Sequence, residues 1–318
     1  MMHKVLVTGG FGYLGGRLAQ FLDSQEGYEI LLGSRWRPKL PGRLLKGKTV
    51  QTVWDSPKDL EKVCSGVDTI IHLAGMNAQD CNADFAMALE VNAVATARLV
   101  QAAVRQKVKR FIYLSTIHAY GNPLSGVISE KTFPLPFHPY ALSHRAGEDV
   151  VQSFHQSGEI EGVVVRLSNA YGAPADKNAN CWMLLINDLC RQAATSGNLK
   201  LNSSGMEWRD FISIHNVVRG IKHCIEIPSD KYDSSLFNLG GEASYRVIDL
   251  AELIVVRCEA VLGFKPQIGR PEPKSEEDYL KLYFQIDKLK ETGFSLIDDI
   301  TNEIDATLKF CHKNFGQS

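Results

Sequence analysis

One stretch near the start of the chain constrains its fold more than any other: Val5-Leu6-Val7-Thr8-Gly9-Gly10-Phe11-Gly12-Tyr13-Leu14-Gly15. Val5, Leu6 and Val7 read as a short buried strand. The glycines then make a tight turn, and Arg17-Leu18-Ala19-Gln20-Phe21-Leu22 opens a helix with its apolar residues on one face. Two glycine spacings overlap here, Gly10-x-Gly12-x-x-Gly15 and Gly9-x-x-Gly12-x-x-Gly15. A flexible glycine-rich loop could show the same letters, but this run lies between a strand and a helix. In that setting the glycines let the backbone approach a pyrophosphate. The helix N-terminus offers it free N–H groups and the positive end of a dipole. The run therefore reads as a dinucleotide site, with Gly9, Gly12, Tyr13, Leu14 and Gly15 among its contacts.

The rest of the first half repeats the strand–helix alternation. Further strands are expected at Tyr28–Leu32, Thr49–Val53, Thr69–Leu73, Arg110–Ser115 and Glu161–Leu167, with a long helical stretch at Asn82–Gln106. Such alternation indicates an α/β fold of the Rossmann type, a doubly wound parallel sheet. After about Asn169 the pattern loosens, and helices are expected at Cys181–Ala194, Asn216–Ile227, Val247–Leu262 and Asp298–His312. The 318 residues suit roughly two domains. We read residues 1–168 as a dinucleotide-binding domain with a return segment near 209–240, and 169–318 mainly as a smaller substrate-binding domain. Pro134–Pro139 and Pro266–Pro273 read as loops near a cleft.

Composition narrows the class by exclusion. A net charge of −1 gives no electrostatic reason to expect nucleic acid or a membrane surface as partner. Met1-Met2-His3-Lys4 leads into a core strand rather than a signal peptide, and no apolar run is long enough for a membrane span. The seven cysteines are scattered without a Cys-x-x-Cys pair, which suits free thiols in a reducing cytoplasm and no metal site.

The second strand decides the cofactor. An acid normally follows it and binds the adenosine ribose 2′-OH. Here the place reads Gly33-Ser34-Arg35-Trp36-Arg37. A hydroxyl and two arginines suit a 2′-phosphate, so NADP is expected, with NAD as the alternative. The competing reading of Arg35 and Arg37 is solvated loop charge. Asp55, with Ser56 beside it, is placed to accept a hydrogen bond from the adenine amino group, unless Asp55 is only a helix N-cap before Pro57. Leu73-Ala74-Gly75 ends the fourth strand with small residues that let the chain pass close to a flat cofactor.

Leu114-Ser115-Thr116 ends the fifth strand, and Ile117-His118-Ala119-Tyr120-Gly121 follows. Then comes Pro139-Tyr140-Ala141-Leu142-Ser143-His144, running into Arg145-Ala146-Gly147-Glu148. With the glycine run, the chain resembles the extended short-chain dehydrogenase/reductase family of NAD(P)-dependent nucleotide-sugar epimerases, dehydratases and ketoreductases. The resemblance continues through Arg166-Leu167-Ser168-Asn169-Ala170-Tyr171-Gly172, Arg209-Asp210-Phe211-Ile212, Phe237-Asn238-Leu239-Gly240 and Arg270-Pro271. It covers nearly the whole chain, and together these motifs are specific for the family. The resemblance implies that Tyr140 is the general acid/base on a sugar oxygen and that Thr116 hydrogen-bonds the same oxygen. It implies that Asn92 braces the active-site backbone, and that Asn169, Arg209 and Arg270 contact a nucleotide diphosphate. It also implies a homodimer, paired through Asn82–Gln106 and Tyr140–Phe154, where Ala86, Ala93, Ala97 and Ala102 permit close approach. The bland readings are a half-buried tyrosine for Tyr140, a turn residue for Asn169 and a surface pair with Asp210 for Arg209.

The chain departs from the family pattern twice. The family carries Tyr-x-x-x-Lys, in which the lysine holds the nicotinamide ribose and lowers the tyrosine pKa; here residue 144 is histidine. His144 lies one helical turn from Tyr140, on the same face. It is expected to replace the lysine, and to regain a positive charge below about pH 6.5 unless burial prevents it. Dehydratases carry Asp-Glu where this chain has Ile117-His118. Isoleucine cannot move a proton, so dehydration is disfavoured. His118 is read as a substrate contact or second acid/base, or else as a packed loop histidine. The sequence thus reads as a cytoplasmic oxidoreductase transferring hydride at a nucleotide-sugar carbon, as ketoreductase or epimerase. The rival from another class is a non-catalytic nucleotide sensor with a degenerate site.

Overall fold

The computed structural model describes residues 2–36, 47–232, 234–273, 279–298 and 300–316. The first unit alternates β1 (His3–Thr8), α1 (Tyr13–Asp23), β2 (Tyr28–Ser34), β3 (Lys48–Gln51), α2 (Pro57–Cys64) and β4 (Thr69–His72). Beyond β4 come α3 (Ala78–Ala83), α4 (Phe85–Leu89), a π-helical turn at Glu90–Val94 and α5 (Ala95–Arg105). The expected helix at 82–106 is thus broken. Asn77 accepts a hydrogen bond from the Asp80 N–H (3.0 Å) and Asp84 one from the Met87 N–H (2.9 Å), so each starts a new helix. The chain continues through β5 (Arg110–Thr116), a 3₁₀ turn at Ile117–Tyr120, β6 (Gly126–Ile128), α6 (Pro139–Gln156) and β7 (Glu161–Leu167).

The later chain holds β8 (Asn169–Tyr171), α7 (Leu185–Ser196), β9 (Asn198–Lys200), β10 (Trp208–Ser213), α8 (Ile214–Glu226) and β11 (Leu236–Leu239). It ends in β12 (Ser244–Arg246), α9 (Val247–Leu262), β13 (Gln267–Gly269), β14 (Leu282–Phe284), α10 (Asp287–Glu291) and α11 (Ile300–Phe315). Helix α8 begins two residues before the expected Asn216 because Ser213 caps it, accepting from the Asn216 N–H (3.1 Å). Strand β13 falls inside the stretch expected to be a loop at Pro266–Pro273.

Seven parallel strands form the main sheet in the order β11-β7-β5-β4-β1-β2-β3. The period-two pattern of β1 explains its central place. Val5 and Val7 face one apolar layer with Leu18, Leu22 and Ile221, while Leu6 faces the other with Leu60, Leu99 and Phe111. Strand order reverses at β1, between β2 and β4, which opens a crevice at the carboxyl ends of the strands. A separate core, including Ile186, Leu189, Phe211, Leu250, Ile254 and Leu308, joins α7, α9 and α11 to β10. Small sheets β8-β10-β12, β9-β13 and β6-β14 connect the later elements. Among the described residues, no helix is long and apolar enough to cross a membrane, and no group of three or more His, Cys, Asp or Glu could hold a metal ion.

Candidate active site

The glycine turn sits at the carboxyl end of β1, in the crevice. Gly9 has φ +67°, and a Cβ there would lie 2.9 Å from the Ala74 nitrogen. A Cβ on Gly15 would overlap the Gly9 carbonyl oxygen. Both positions therefore require glycine, one to place the turn against the end of β4 and one to seat α1 on the turn. Gly12 is exposed and caps α1 with extended backbone and no side-chain hydrogen bond, leaving the helix N-terminus open. That is a cradle suited to a pyrophosphate. Leu14 packs on the core, and the Tyr13 hydroxyl donates to the Gly172 carbonyl (3.1 Å), tying the turn to the end of β8.

At the fourth strand, the Leu73 N–H donates to the Thr8 carbonyl (3.3 Å) and the Ala74 N–H to Thr8 Oγ1 (3.4 Å). Gly75 passes so near Asn92 that a Cβ would lie 3.0 Å from its Oδ1. Ser34 ends β2 and accepts from the Trp36 N–H (3.3 Å), and Arg35 is exposed. Arg37 lies outside the described residues. Asp55 is exposed and does not cap the following helix; Ser56 does, accepting from the Asp59 N–H (3.4 Å).

The three residues expected to do chemistry come together. Thr116 ends β5 and Tyr140 lies in the first turn of α6 behind Pro139, with the Thr116 side chain near enough to favour the Tyr140 phenolate. Burial pushes the Tyr140 hydroxyl up to about 12, against a smaller pull downward from Thr116. The His144 ring meets the Tyr140 ring edge-on at 4.5 Å between centroids. His144 is 8% exposed, and burial holds its imidazole down at about 4. This corrects the expectation of a charge regained near pH 6.5: at neutral and mildly acidic pH the ring is neutral. Its Nδ1 lies 3.1 Å from the Tyr113 hydroxyl, so one ring nitrogen is engaged within the protein.

Asn92 sits in the π-helical turn with both amide ends in use. Its Oδ1 accepts from the Met76 N–H (2.8 Å) and its Nδ2 donates to Ser143 Oγ (2.9 Å). It joins the backbone beyond Gly75 to α6 from a fully buried position.

Further residues that sequence reasoning missed also fix this site. Glu148, fully buried on α6, accepts from Arg166 Nε (2.9 Å) and Nη2 (2.6 Å) and from the Ser115 hydroxyl (2.5 Å). The Arg166 guanidinium also stacks over the Tyr120 ring at 4.4 Å. No spacing rule could have paired residues on separate elements. His138 was missed too. It caps α6, its Nδ1 accepting from the Ala141 N–H (3.3 Å).

The expected substrate contacts lie on the later elements and the turn after β5. His118 sits in the 3₁₀ turn, where burial, aided by His138 and Arg209, lowers its pKa to about 4. Asn169 donates to the Asp210 carbonyl (2.8 Å). Arg209 pairs with Glu207 (3.2 Å) rather than with Asp210, which is fully buried and accepts from the Gly241 N–H (2.9 Å). Arg270 donates to the Ser204 carbonyl (2.5 Å), so both arginines meet the segment 204–207. Of the alanines expected on a pairing surface, Ala93 and Ala102 are buried within the chain. The exposed large apolar residues there are Phe85, Met87, Val94 and Leu142, and Ala86 is exposed beside them.

Residues 5–240 match the NAD dependent epimerase/dehydratase family. An uncharacterized UDP-glucose epimerase of Bacillus subtilis (strain 168) is 27% identical over 322 residues, spanning 95% of this chain and 96% of its own. A D-erythronate dehydrogenase of Haemophilus influenzae is 26% identical over 81% of this chain and 84% of its own. Among solved structures, a UDP-glucuronic acid 4-epimerase from Bacillus cereus in complex with NAD shares the fold with a TM-score of 0.81. It is 22% identical, over 98% of this chain and 99% of that one.

Proposed function

The chain belongs to the NAD dependent epimerase/dehydratase family, and from that membership we propose that it is an NAD(P)-dependent oxidoreductase acting on a nucleotide sugar at one sugar carbon. The bound nicotinamide would supply or accept hydride. The observation that carries the reading is the convergence of Tyr140, Thr116 and His144 at the crevice that also holds the glycine turn. Tyr140 moves the proton at the sugar oxygen, and Thr116 orients that oxygen. His144 stands as a neutral polar neighbour of the tyrosine. The turn from Gly9 to Gly15 cradles the pyrophosphate, with Leu73, Ala74 and Gly75 along the cofactor and Asn92 bracing them. Residues 1–168 with the returning 209–240 segment form the dinucleotide domain. The remainder of 169–318, with Asn169, Arg209 and Arg270, holds the nucleotide diphosphate.

A tyrosine at about 12 is protonated at neutral pH and ready to donate to a ketone oxygen, which supports net reduction. Ser34 and Arg35, without an acid, support NADP as the preferred form, with Asp55 and Ser56 near the adenine. A second reading, epimerisation with retained NAD, is favoured by the UDP-glucose epimerase and the NAD-bound UDP-glucuronic acid 4-epimerase among the similar proteins.

The test is turnover of UDP- and dTDP-hexoses and their 4-keto forms, with nicotinamide absorbance for reduction and NMR for epimers. Tyr140→Phe should lower kcat by about 10²–10⁴-fold. NADP should bind at least about tenfold more tightly than NAD, and Arg35→Ala should erase most of that difference. No turnover of any nucleotide sugar would leave the non-catalytic sensor as the function. Equal affinity for the two cofactors would remove the NADP assignment.

A further inference from the structure

Tyr113 stands on β5 beneath the helix that carries Tyr140 and His144, buried and with its hydroxyl against the His144 ring. The hydroxyl reaches α6 only because residue 147 is glycine. A Cβ there would lie 2.6 Å from the Asn92 carbonyl oxygen and would collide with the tyrosine oxygen. The Tyr113 ring is held between two imidazoles, with centroids 5.8 Å from His72 and 6.0 Å from His144. Burial, reinforced by Glu148 and Tyr140, keeps its hydroxyl well above the ordinary tyrosine pKa, so it retains its proton through the neutral range.

That single proton faces three acceptors. His144 Nδ1 lies at 3.1 Å, the Asn92 carbonyl at 3.3 Å and the His144 carbonyl at 3.4 Å. Hydrogen bonds from a hydroxyl to oxygen run about 2.5–3.0 Å, so both carbonyls are too far, whereas 3.1 Å is ordinary between nitrogen and oxygen. The carbonyls are also served by other donors. The Asn92 carbonyl accepts from the Thr96 hydroxyl (2.8 Å), and the His144 carbonyl lies inside α6, where helix geometry gives it the Glu148 N–H. A proton on Nδ1 would take the tyrosine oxygen as its acceptor and leave the buried tyrosine proton without a partner.

We propose that Tyr113 is a positioning residue that donates to His144 Nδ1, locks the imidazole as its Nε2–H tautomer, and so makes residue 144 a neutral donor to the bound cofactor rather than a base. This rests on the dinucleotide reading of the crevice and deepens it. A neutral imidazole has one donor and one acceptor nitrogen, and the hydrogen bond at one decides the other. Among the described residues no hydrogen bond holds Nε2. The Cε1 bonded to it faces the end of the fourth strand, where a Cβ on Gly75 would lie 3.6 Å away. The opposite tautomer would place a basic lone pair beside the Tyr140 ring, able to take a proton from the tyrosine or from a ribose hydroxyl. Tyr113 removes that option and leaves Tyr140 as the group that moves the proton.

The experiment is long-range proton–nitrogen correlation NMR on cofactor-free protein labelled with ¹⁵N-histidine at neutral pH. The His144 signals are those lost in His144→Phe, or in His144→Gln if the first variant does not fold. Wild type should show a protonated Nε2 and an unprotonated Nδ1, and a protonated Nδ1 overturns the inference without recourse to any further variant. Tyr113→Phe removes only the hydroxyl, so the Nδ1 resonance should move as its hydrogen bond is lost; an unmoved resonance overturns the inference. A double-mutant cycle on calorimetric NAD and NADP affinity then separates positioning from general support of the fold. Tyr113→Phe should weaken the tighter-binding cofactor by about three- to tenfold when His144 is present and by less than about 1.5-fold in the His144→Phe background. Equal losses in the two backgrounds overturn the inference, because Tyr113 would then not act through His144. If wild type binds neither cofactor while the spectrum shows the Nε2–H form, the dinucleotide reading falls and the donor role with it, whereas the tautomer is settled by the spectrum alone.

Discussion

Replacing His144 by lysine isolates the electrostatic consequence of the residue found there. On the proposed reading, Tyr140 takes a proton during alcohol oxidation and gives one during ketone reduction. Its hydroxyl lies at about 12, and the neighbouring imidazole, held at about 4, adds no positive charge at neutral pH. The two rings are 4.5 Å apart between centroids, and the interaction of an ammonium at residue 144 with the tyrosine oxygen is taken at a separation of roughly 5 Å. At an effective dielectric of about 20 the attraction is about 3 kcal/mol, or about two pK units. The tyrosine should then move from about 12 toward roughly 10, which raises its ionised fraction at pH 7 about a hundredfold.

The two directions should respond unequally. Oxidation of a nucleotide-sugar alcohol needs the tyrosinate, so His144→Lys should speed it by up to about a hundredfold at pH 7 and move the basic limb of its profile down by about two units. Reduction needs the protonated form, which remains dominant at pH 7, so its rate should change by only a few-fold. Ultraviolet titration of tyrosinate in wild type, His144→Lys and Tyr140→Phe measures the shift without any substrate. An unchanged tyrosine titration and an unchanged oxidation profile in His144→Lys would refute the reasoning, because residue 144 would then not act on the tyrosine oxygen.

The remaining predictions use the same geometry. Burial holds His144 and His118 at about 4 and His72 at about 3, all below the unfolded value near 6.5, so their stabilising neutrality is complete above that pH. Stability should fall as pH drops from 6.5 through 4, by up to about 3 kcal/mol for His144 at full extent; His144→Phe should flatten part of this slope in urea melts, and an identical slope would contradict the assignment. Because Ile117 carries no proton, UDP- and dTDP-hexoses should yield no 4-keto-6-deoxy product by NMR, and its appearance would overturn that role. The exposed Phe85, Met87, Val94 and Leu142 lie where the family resemblance implies a homodimer contact, so light scattering at micromolar concentration should give twice the chain mass, and a monomer mass would exclude it.

What could be read from the letters, and what could not, follows from the range of each interaction. Strand β7 at Glu161–Leu167 and helix α9 at Val247–Leu262 match their expected bounds because each is a long apolar pattern that declares its own period. Strands β6, β8, β9, β12, β13 and β14 have three residues each, too few for a period, and form only by pairing with distant partners. The same division runs through the site. Tyr140 and His144 share a helical face by spacing alone, but the state of His144 depends on what encloses it. Tyr113 comes from elsewhere in the chain, and no local pattern announces it. His138 had no motif to carry it, since its meaning lies in a cap and in two ring contacts.

The enclosure of His144 follows from how α6 is held. Ser115 and Thr116 are adjacent at the end of β5, and both meet this helix: Thr116 beside Tyr140, Ser115 through a hydrogen bond to Glu148. Eight residues separate those two points, about 12 Å along a helix, so the pair resists both sliding and rotation. Arg166 on β7 makes the lower anchor costly to break, because removing one partner of a buried ion pair costs about 3–5 kcal/mol. Residues 140, 144 and 148 recur every four positions on one face, so His144 sits between the anchors. Gly147 beside it lets the helix close on the Tyr113 hydroxyl, where a Cβ would collide. An imidazole ends on that hydroxyl and needs no charge there. The packing that sets Tyr140 beside Thr116 therefore also keeps residue 144 neutral, and mild acid cannot restore the charge that a lysine would supply.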